Sequence, residues 1–121
     1  MKLKTLLLTI LLSTSLSGTV YADCSSAESE AYDSYRYAKK AYRASDLDDC
    51  QRYAKKAYRY ASYAESEASS CNCSDAESEA YSAYRNAKKA YSASNLGNCT
   101  YYAKKAYRYA SYAESEASSC N

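Results

Sequence analysis

Between residues 50 and 71, Cys50, Ala54, Ala57, Ala61, Ala64, Ala68 and Cys71 fall at intervals of four, three, four, three, four and three. A strict two-per-seven stripe is the seam of a coiled coil rather than the broad face of a globular helix. With Ala in place of Leu, two helix backbones approach unusually closely. Ala, Lys, Arg and Glu are good helix formers, and neither Pro nor Gly interrupts this run. The preceding segment has the same stripe: Cys24, Ala27, Ala31, Ser34, Ala38, Ala41 and Ser45.

The two segments also mirror each other. Paired so that position numbers sum to 95, Cys24 meets Cys71, Ala31 meets Ala64, Arg36 meets Arg59 and Tyr42 meets Tyr53; 18 of the 22 pairs from 24/71 to 45/50 are identical. An antiparallel helical hairpin is the structure that places mirrored positions at one level. Residues 73–121 then repeat 24–72 without gaps, with 39 identities, and YAKKAYRYASYAESEASSCN occurs unchanged at 53–72 and 102–121. This is a tandem duplication. The expected fold is all-α: two tandem antiparallel hairpins, 23–72 and 73–121, with Ala-rich seams, forming an up-down-up-down four-helix bundle. Cys71-Asn72-Cys73 leaves no flexible linker between them. Asp46-Leu47-Asp48-Asp49 and Asn95-Leu96-Gly97-Asn98 read as the turns, with Asp49 and Asn98 as N-caps of the helices that follow.

Residues 1–22 read as a secretory signal, with Lys2 and Lys4, a Leu-rich run over 6–12 and a Val20-Tyr21-Ala22 cleavage site. The apolar run is too short to span a membrane. Export to a periplasm or the extracellular space, bacterial in form, is the expectation. The mature chain from Asp23 then has 14 basic and 14 acidic residues, so the net +2 of the full sequence carries no message about nucleic acid.

That mature chain contains no Val, Ile, Phe, Met, Trp, His or Pro, and Leu only at 47 and 96. Its core must be built of Ala, Tyr and Cys. Ala burial contributes little per residue, so helix propensity and cross-links carry more of the stability. Six cysteines in a short exported chain read as a disulfide framework. On helices rising 1.5 Å per residue, Cys24 and Cys71 lie roughly 30 Å from Cys50, far beyond the Cα separation of about 7 Å that a bridge allows. Cys24–Cys71 and Cys73–Cys120 are expected to close the two hairpins, each stabilising by roughly 4 kcal/mol in the loop-entropy account; the competing set, Cys24–Cys120 with Cys71–Cys73, needs a strained bridge across one residue and ranks lower. Cys50 and Cys99 remain at the opposite pole, to pair with each other or between chains.

No residue set points to catalysis: there is no His, no Gly-rich phosphate loop and no Ser beside a base. Cys-x-Cys at 71–73 is a poor match to tetrahedral zinc spacing. The Glu pairs lack a Ca²⁺ loop. No metal, cofactor or nucleic-acid partner is expected. The chain's 17 tyrosines, 16 of them after the signal, are the unusual feature. Tyr35, Tyr37, Tyr58, Tyr60, Tyr84, Tyr107 and Tyr109 flank the Ala seams. They either shield a thin core with their hydroxyls in water or present rigid amphipathic rings to a protein or glycan. The favoured function is that of an exported non-enzymatic structural or binding protein, envelope-associated or secreted, acting through Tyr-rich helical surfaces. The alternatives are a secreted effector or inhibitor of one target protein and, third, a thiol or metal carrier. Hairpins this symmetric are also suited to pairing between chains.

Overall fold

A computed structural model describes residues 23–120. The signal assigned to residues 1–22 lies outside them. Four helices follow in order: α1 (Ser25–Tyr42), α2 (Leu47–Ser70), α3 (Ser74–Tyr91) and α4 (Leu96–Ser119). They form an up-down-up-down bundle in which α1–α2, α2–α3, α3–α4 and α4–α1 are all packed neighbours, and α2 and α4 lie closer across the diagonal than α1 and α3.

The seam of every helix points at the bundle axis, and the core is a stack of small residues, each helix supplying one per level. Ala27, Ala68, Ala76 and Ala117 form one level. Ala31, Ala64, Ala80 and Ala113 form the next. Ala61, Ala83 and Ala110 follow, with Ser34 at their level. Then come Ala38, Ala57, Ala87 and Ala106, and last Ala41, Ala54, Ala90 and Ala103. The mirrored register of both hairpins is thus realised. Ser34 is the one buried polar residue of the described core, and its Oγ donates to the Ala57 carbonyl at 2.9 Å. The space between the Ala31/Ala64/Ala80/Ala113 level and the Ser34/Ala61/Ala83/Ala110 level is too small for a water molecule, so close backbone approach substitutes for side-chain bulk.

Three disulfides brace the stack. Cys24–Cys71 and Cys73–Cys120 close the hairpins at one pole, with Cα separations of 5.5 and 6.0 Å. At the other pole Cys50–Cys99, at 6.3 Å, joins one hairpin to the other within the chain.

The helix ends show why the chain turns where it does. After α2, Asn72 takes a left-handed conformation with φ 60°. The Cys73 N–H donates to the Ala68 carbonyl at 2.9 Å and the Asn72 N–H to Ser69 at 3.2 Å, the paired bonds of a Schellman stop. Asn tolerates this conformation better than most residues do. The N-caps differ from the expectation. Asp46 and Asn95, not Asp49 and Asn98, cap α2 and α4, and the turns lie three residues earlier than expected. The Asp46 and Asn95 side chains accept from the Asp49 and Asn98 N–H groups, each at 2.8 Å. The residues expected as caps are instead the third helical residues, whose amides need one. Asp48 and Asp49 then sit in the first turn of α2, where they suit the helix dipole.

Candidate ring-lined grooves on the bundle surface

With Ala on the axis, every tyrosine among the described residues is displaced to the four grooves between neighbouring helices or to the outer face. Each seam residue is flanked by positions that point into the groove on either side, and those positions are where the tyrosines recur. All seven singled out from the sequence (Tyr35, Tyr37, Tyr58, Tyr60, Tyr84, Tyr107 and Tyr109) are half-buried. Tyr37, Tyr58 and Tyr107 cover the Ala38/Ala57/Ala87/Ala106 level, and Tyr35, Tyr84 and Tyr109 cover the level beside it. They do shield the thin core. The more exposed rings are others: Tyr32, Tyr63, Tyr81, Tyr91, Tyr101 and Tyr112. The alternation of the stripe separates nearly all of them: the seven stand beside the seam within its four-residue intervals, whereas Tyr32, Tyr63, Tyr81 and Tyr112 lie in three-residue intervals and Tyr101 at the middle of a four-residue one, positions turned further from the axis. Of the six, Tyr91 is placed as the seven are and is nevertheless exposed.

Two grooves are copies of each other. In α1/α4, Tyr107 meets Tyr35 at 5.9 Å and Tyr42 at 5.6 Å between ring centroids. In α2/α3, Tyr58 meets Tyr84 at 5.9 Å and Tyr91 at 5.7 Å. Lys39 lies over Tyr35 and Tyr107, and Lys88 over Tyr58 and Tyr84. The Lys39 and Lys88 ammonium groups also donate to the Tyr35 and Tyr84 hydroxyls at 3.0 and 3.1 Å. The hydrogen bond to Tyr84 holds the Lys88 pKa above its ordinary value. Cation–ring contacts of this kind are individually small when solvated, but they recur around the bundle and hold the cations against the rings.

The other two grooves should also be copies, and they are not. In α1/α2, Tyr37 lies nearly parallel to Tyr60 (5.7 Å, 4°) and to Tyr53 (6.3 Å, 20°). Arg36, Lys40 and Lys56 gather over its ring. In α3/α4 the duplicated position is Asn86, whose amide folds back onto the Ser82 carbonyl of its own helix at 2.9 Å.

Charge is divided along the bundle. Twelve Lys and Arg residues belt the Tyr-rich middle, among them Arg36, Arg59, Arg85 and Arg108. Among the described residues only Arg36 of that belt has a carboxylate within ion-pair reach, at Asp33 (3.1 Å); the other ion pair, Arg52 with Asp49, lies at the turn pole. The opposite pole carries the glutamates. Burial, with Asp33 and Glu67 nearby, raises the pKa of Glu30. Burial also raises Glu65 and Glu114, which face Glu77 and Glu28 respectively across their grooves. Two clefts of 400 and 330 Å³, lined by Ser and Glu, lie between these pairs.

The sulfur atoms of Cys24, Cys73 and Cys120 lie within 4.8 Å of one another, a spacing that suits a metal. All six cysteines are nevertheless engaged in bridges, and a bridged sulfur is not a thiolate ligand. No helix among the described residues is long and apolar enough to cross a membrane. No family model, no curated protein and no solved structure matches this chain.

Proposed function

We propose that this chain is an exported, non-enzymatic binding or structural protein that works outside the membrane by presenting rigid tyrosine–cation surfaces to a partner. The observation that carries the reading is the separation of roles in the bundle. Ala and Cys fill the axis, while the tyrosines lie outside it with Lys and Arg held over their rings. Rigid rings that lose little entropy on contact, with charge at their edges, are the composition of protein interaction surfaces. Three bridges suit an oxidising compartment.

The test replaces the exposed rings Tyr32, Tyr63, Tyr81, Tyr101 and Tyr112 by Ser, singly and together. Binding to the outer surface of the producing cell is then measured by sedimentation. A progressive loss at unchanged thermal stability supports the reading, and undiminished binding by the fivefold variant refutes it. Export is tested separately by intact mass: the secreted form should begin at Asp23 and be lighter than its reduced form by two hydrogens per bridge.

A second reading, an effector or inhibitor with one target, is favoured by the difference between Tyr37 and Asn86. It makes one groove unlike the other three, and a single unique site suits a single target. In that case a few positions, rather than many, account for the activity.

A further inference from the structure

The duplication provides its own internal control for the α3/α4 groove. Tyr53, Tyr60, Arg36, Lys40 and Lys56 in the first copy correspond to Tyr102, Tyr109, Arg85, Lys89 and Lys105 in the second. The walls of the groove are therefore the same two tyrosines and the same three cations. The first copy shows what those walls accept: a phenol ring, that of Tyr37, lying parallel to one wall ring and near-parallel to the other, with three cations over it. In the second copy that ring is gone. Asn86 bonds to its own helix instead of reaching across.

The neighbours respond. Among the described residues, Tyr102 and Tyr109 have ring contacts only along their own helix, with Tyr101 and Tyr112. Lys105 has turned outward over Tyr101, at 4.8 Å from its centroid, whereas its counterpart Lys56 lies over Tyr37. Lys89 remains over Tyr102 at 5.5 Å. On the Ala38/Ala57/Ala87/Ala106 level, three grooves each contribute a covering tyrosine, namely Tyr37, Tyr58 and Tyr107, and the α3/α4 groove contributes none.

We propose that the α3/α4 groove is a ring-binding slot: Tyr102 and Tyr109 take between them a tyrosine-like side chain of a partner protein, one that stands beside a carboxylate read by Arg85, Lys89 and Lys105. The preference for an aromatic ring follows from Tyr37, which fills the equivalent space with the same wall residues. The preference for an acidic neighbour follows from the three cations, none of which has a carboxylate within ion-pair reach among the described residues. Charge-assisted contacts and ring stacking then act on the same short segment. The inference rests on the binding reading above and assigns it one site.

Two reciprocal substitutions test it. Asn86→Tyr should close the slot, and Tyr37→Asn should open a second one. Each introduces the residue that the other copy already carries in matching surroundings, so both variants should fold; their helical content and melting midpoint are checked first. The probe is the peptide acetyl-Glu-Tyr-Glu-amide, followed by NMR titration of the full disulfide-bonded protein. The expected result is one peptide per chain in the native protein, binding at least tenfold weaker in Asn86→Tyr, and two per chain in Tyr37→Asn. The cyclohexylalanine analogue of the peptide, which keeps bulk and charge but is not planar, should bind at least several-fold more weakly.

Unchanged affinity in Asn86→Tyr, unchanged stoichiometry in Tyr37→Asn, or no saturable binding by the native protein each overturns the slot. So does binding of glucuronate in the absence of peptide binding, which would transfer the groove to a sugar, and so does binding of free para-hydroxyphenylacetate without the peptide, which would transfer it to small aryl acids. These failures leave the broader reading standing as long as the fivefold tyrosine variant loses surface binding. Retention of that binding removes the broader reading whatever the peptide does.

Discussion

The bridge between Cys50 and Cys99 is the covalent tie between the hairpins at the turn pole, since the other two close each hairpin on itself. Replacing both residues with Ala leaves a residue type that already occupies nearly every other seam position, so the helices remain compatible at that level. The change then isolates the cross-link. Its sequence separation is 49, and the detour through the other two bridges shortens the loop only slightly. The loop-entropy account puts the loss at roughly 4 kcal/mol. For a domain of about 100 residues the unfolding entropy near the midpoint is about 0.2 kcal/mol/K, so the melting midpoint should fall by about 20 °C. Circular dichroism of the oxidised double variant, compared with the native protein in the same buffer, measures this. A fall of less than about a quarter of that amount refutes the reasoning. It would mean that Ala-on-Ala packing between the hairpins, with the Cys71-Asn72-Cys73 connection, already restricts the chain as fully as the bridge does.

Three further outcomes are expected. The pKa values of Glu30, Glu65 and Glu114 are raised in the fold, so protonation favours the folded state; their contribution is fully present below the unfolded-state value and lost as pH rises through the folded one. The melting midpoint should therefore rise as pH falls from neutral through the carboxylate range, and a fall over that interval would contradict the placement of the paired glutamates. Ala57→Leu adds three carbons at a fully buried position on the bundle axis, and overpacking of this kind should cost about 2 kcal/mol, read as a midpoint lower by about 10 °C; a stabilised variant would show that the helices separate easily. Asp46→Ala should cost about 1 kcal/mol, because it removes the acceptor for the Asp49 amide, whereas Asp49→Ala should cost clearly less, and the reverse order in denaturant melts would restore Asp49 as the cap.

Much of the architecture was legible in the residue pattern because the pattern is nearly free of noise. A two-per-seven stripe of Ala, repeated on four segments, leaves one face per helix that water must leave. The mirrored register fixes which residues share a level, as the pairs Ala31/Ala64 and Ala80/Ala113 show. The hairpin bridges followed from distance along a helix, because Cys24 and Cys71 are mirrored ends while Cys50 is a helix length away, and from the strain that a Cys71–Cys73 bridge across one residue would carry. The caps were less legible: Asp46, Asp48 and Asp49 are chemically the same residue, and only the path of the backbone into α2 decides which side chain reaches an unbonded amide.

The sequence by itself therefore determined the helices, their seams, the level of each residue and the two bridges that close the hairpins. It did not determine which seam meets which. All four stripes are made of the same residue at the same spacing, so hairpin one fits hairpin two, or a second chain, equally well by pattern. The folded chain decides for the hairpin next to it, and that choice brings Cys50 to Cys99. The same packing separates rings that the pattern treats alike: Tyr42 and Tyr91 hold the same place beside their seams, yet Tyr42 is half-buried and Tyr91 exposed. A repeat pattern is a property of one helix at a time, while a groove belongs to two helices and exists only once they have packed.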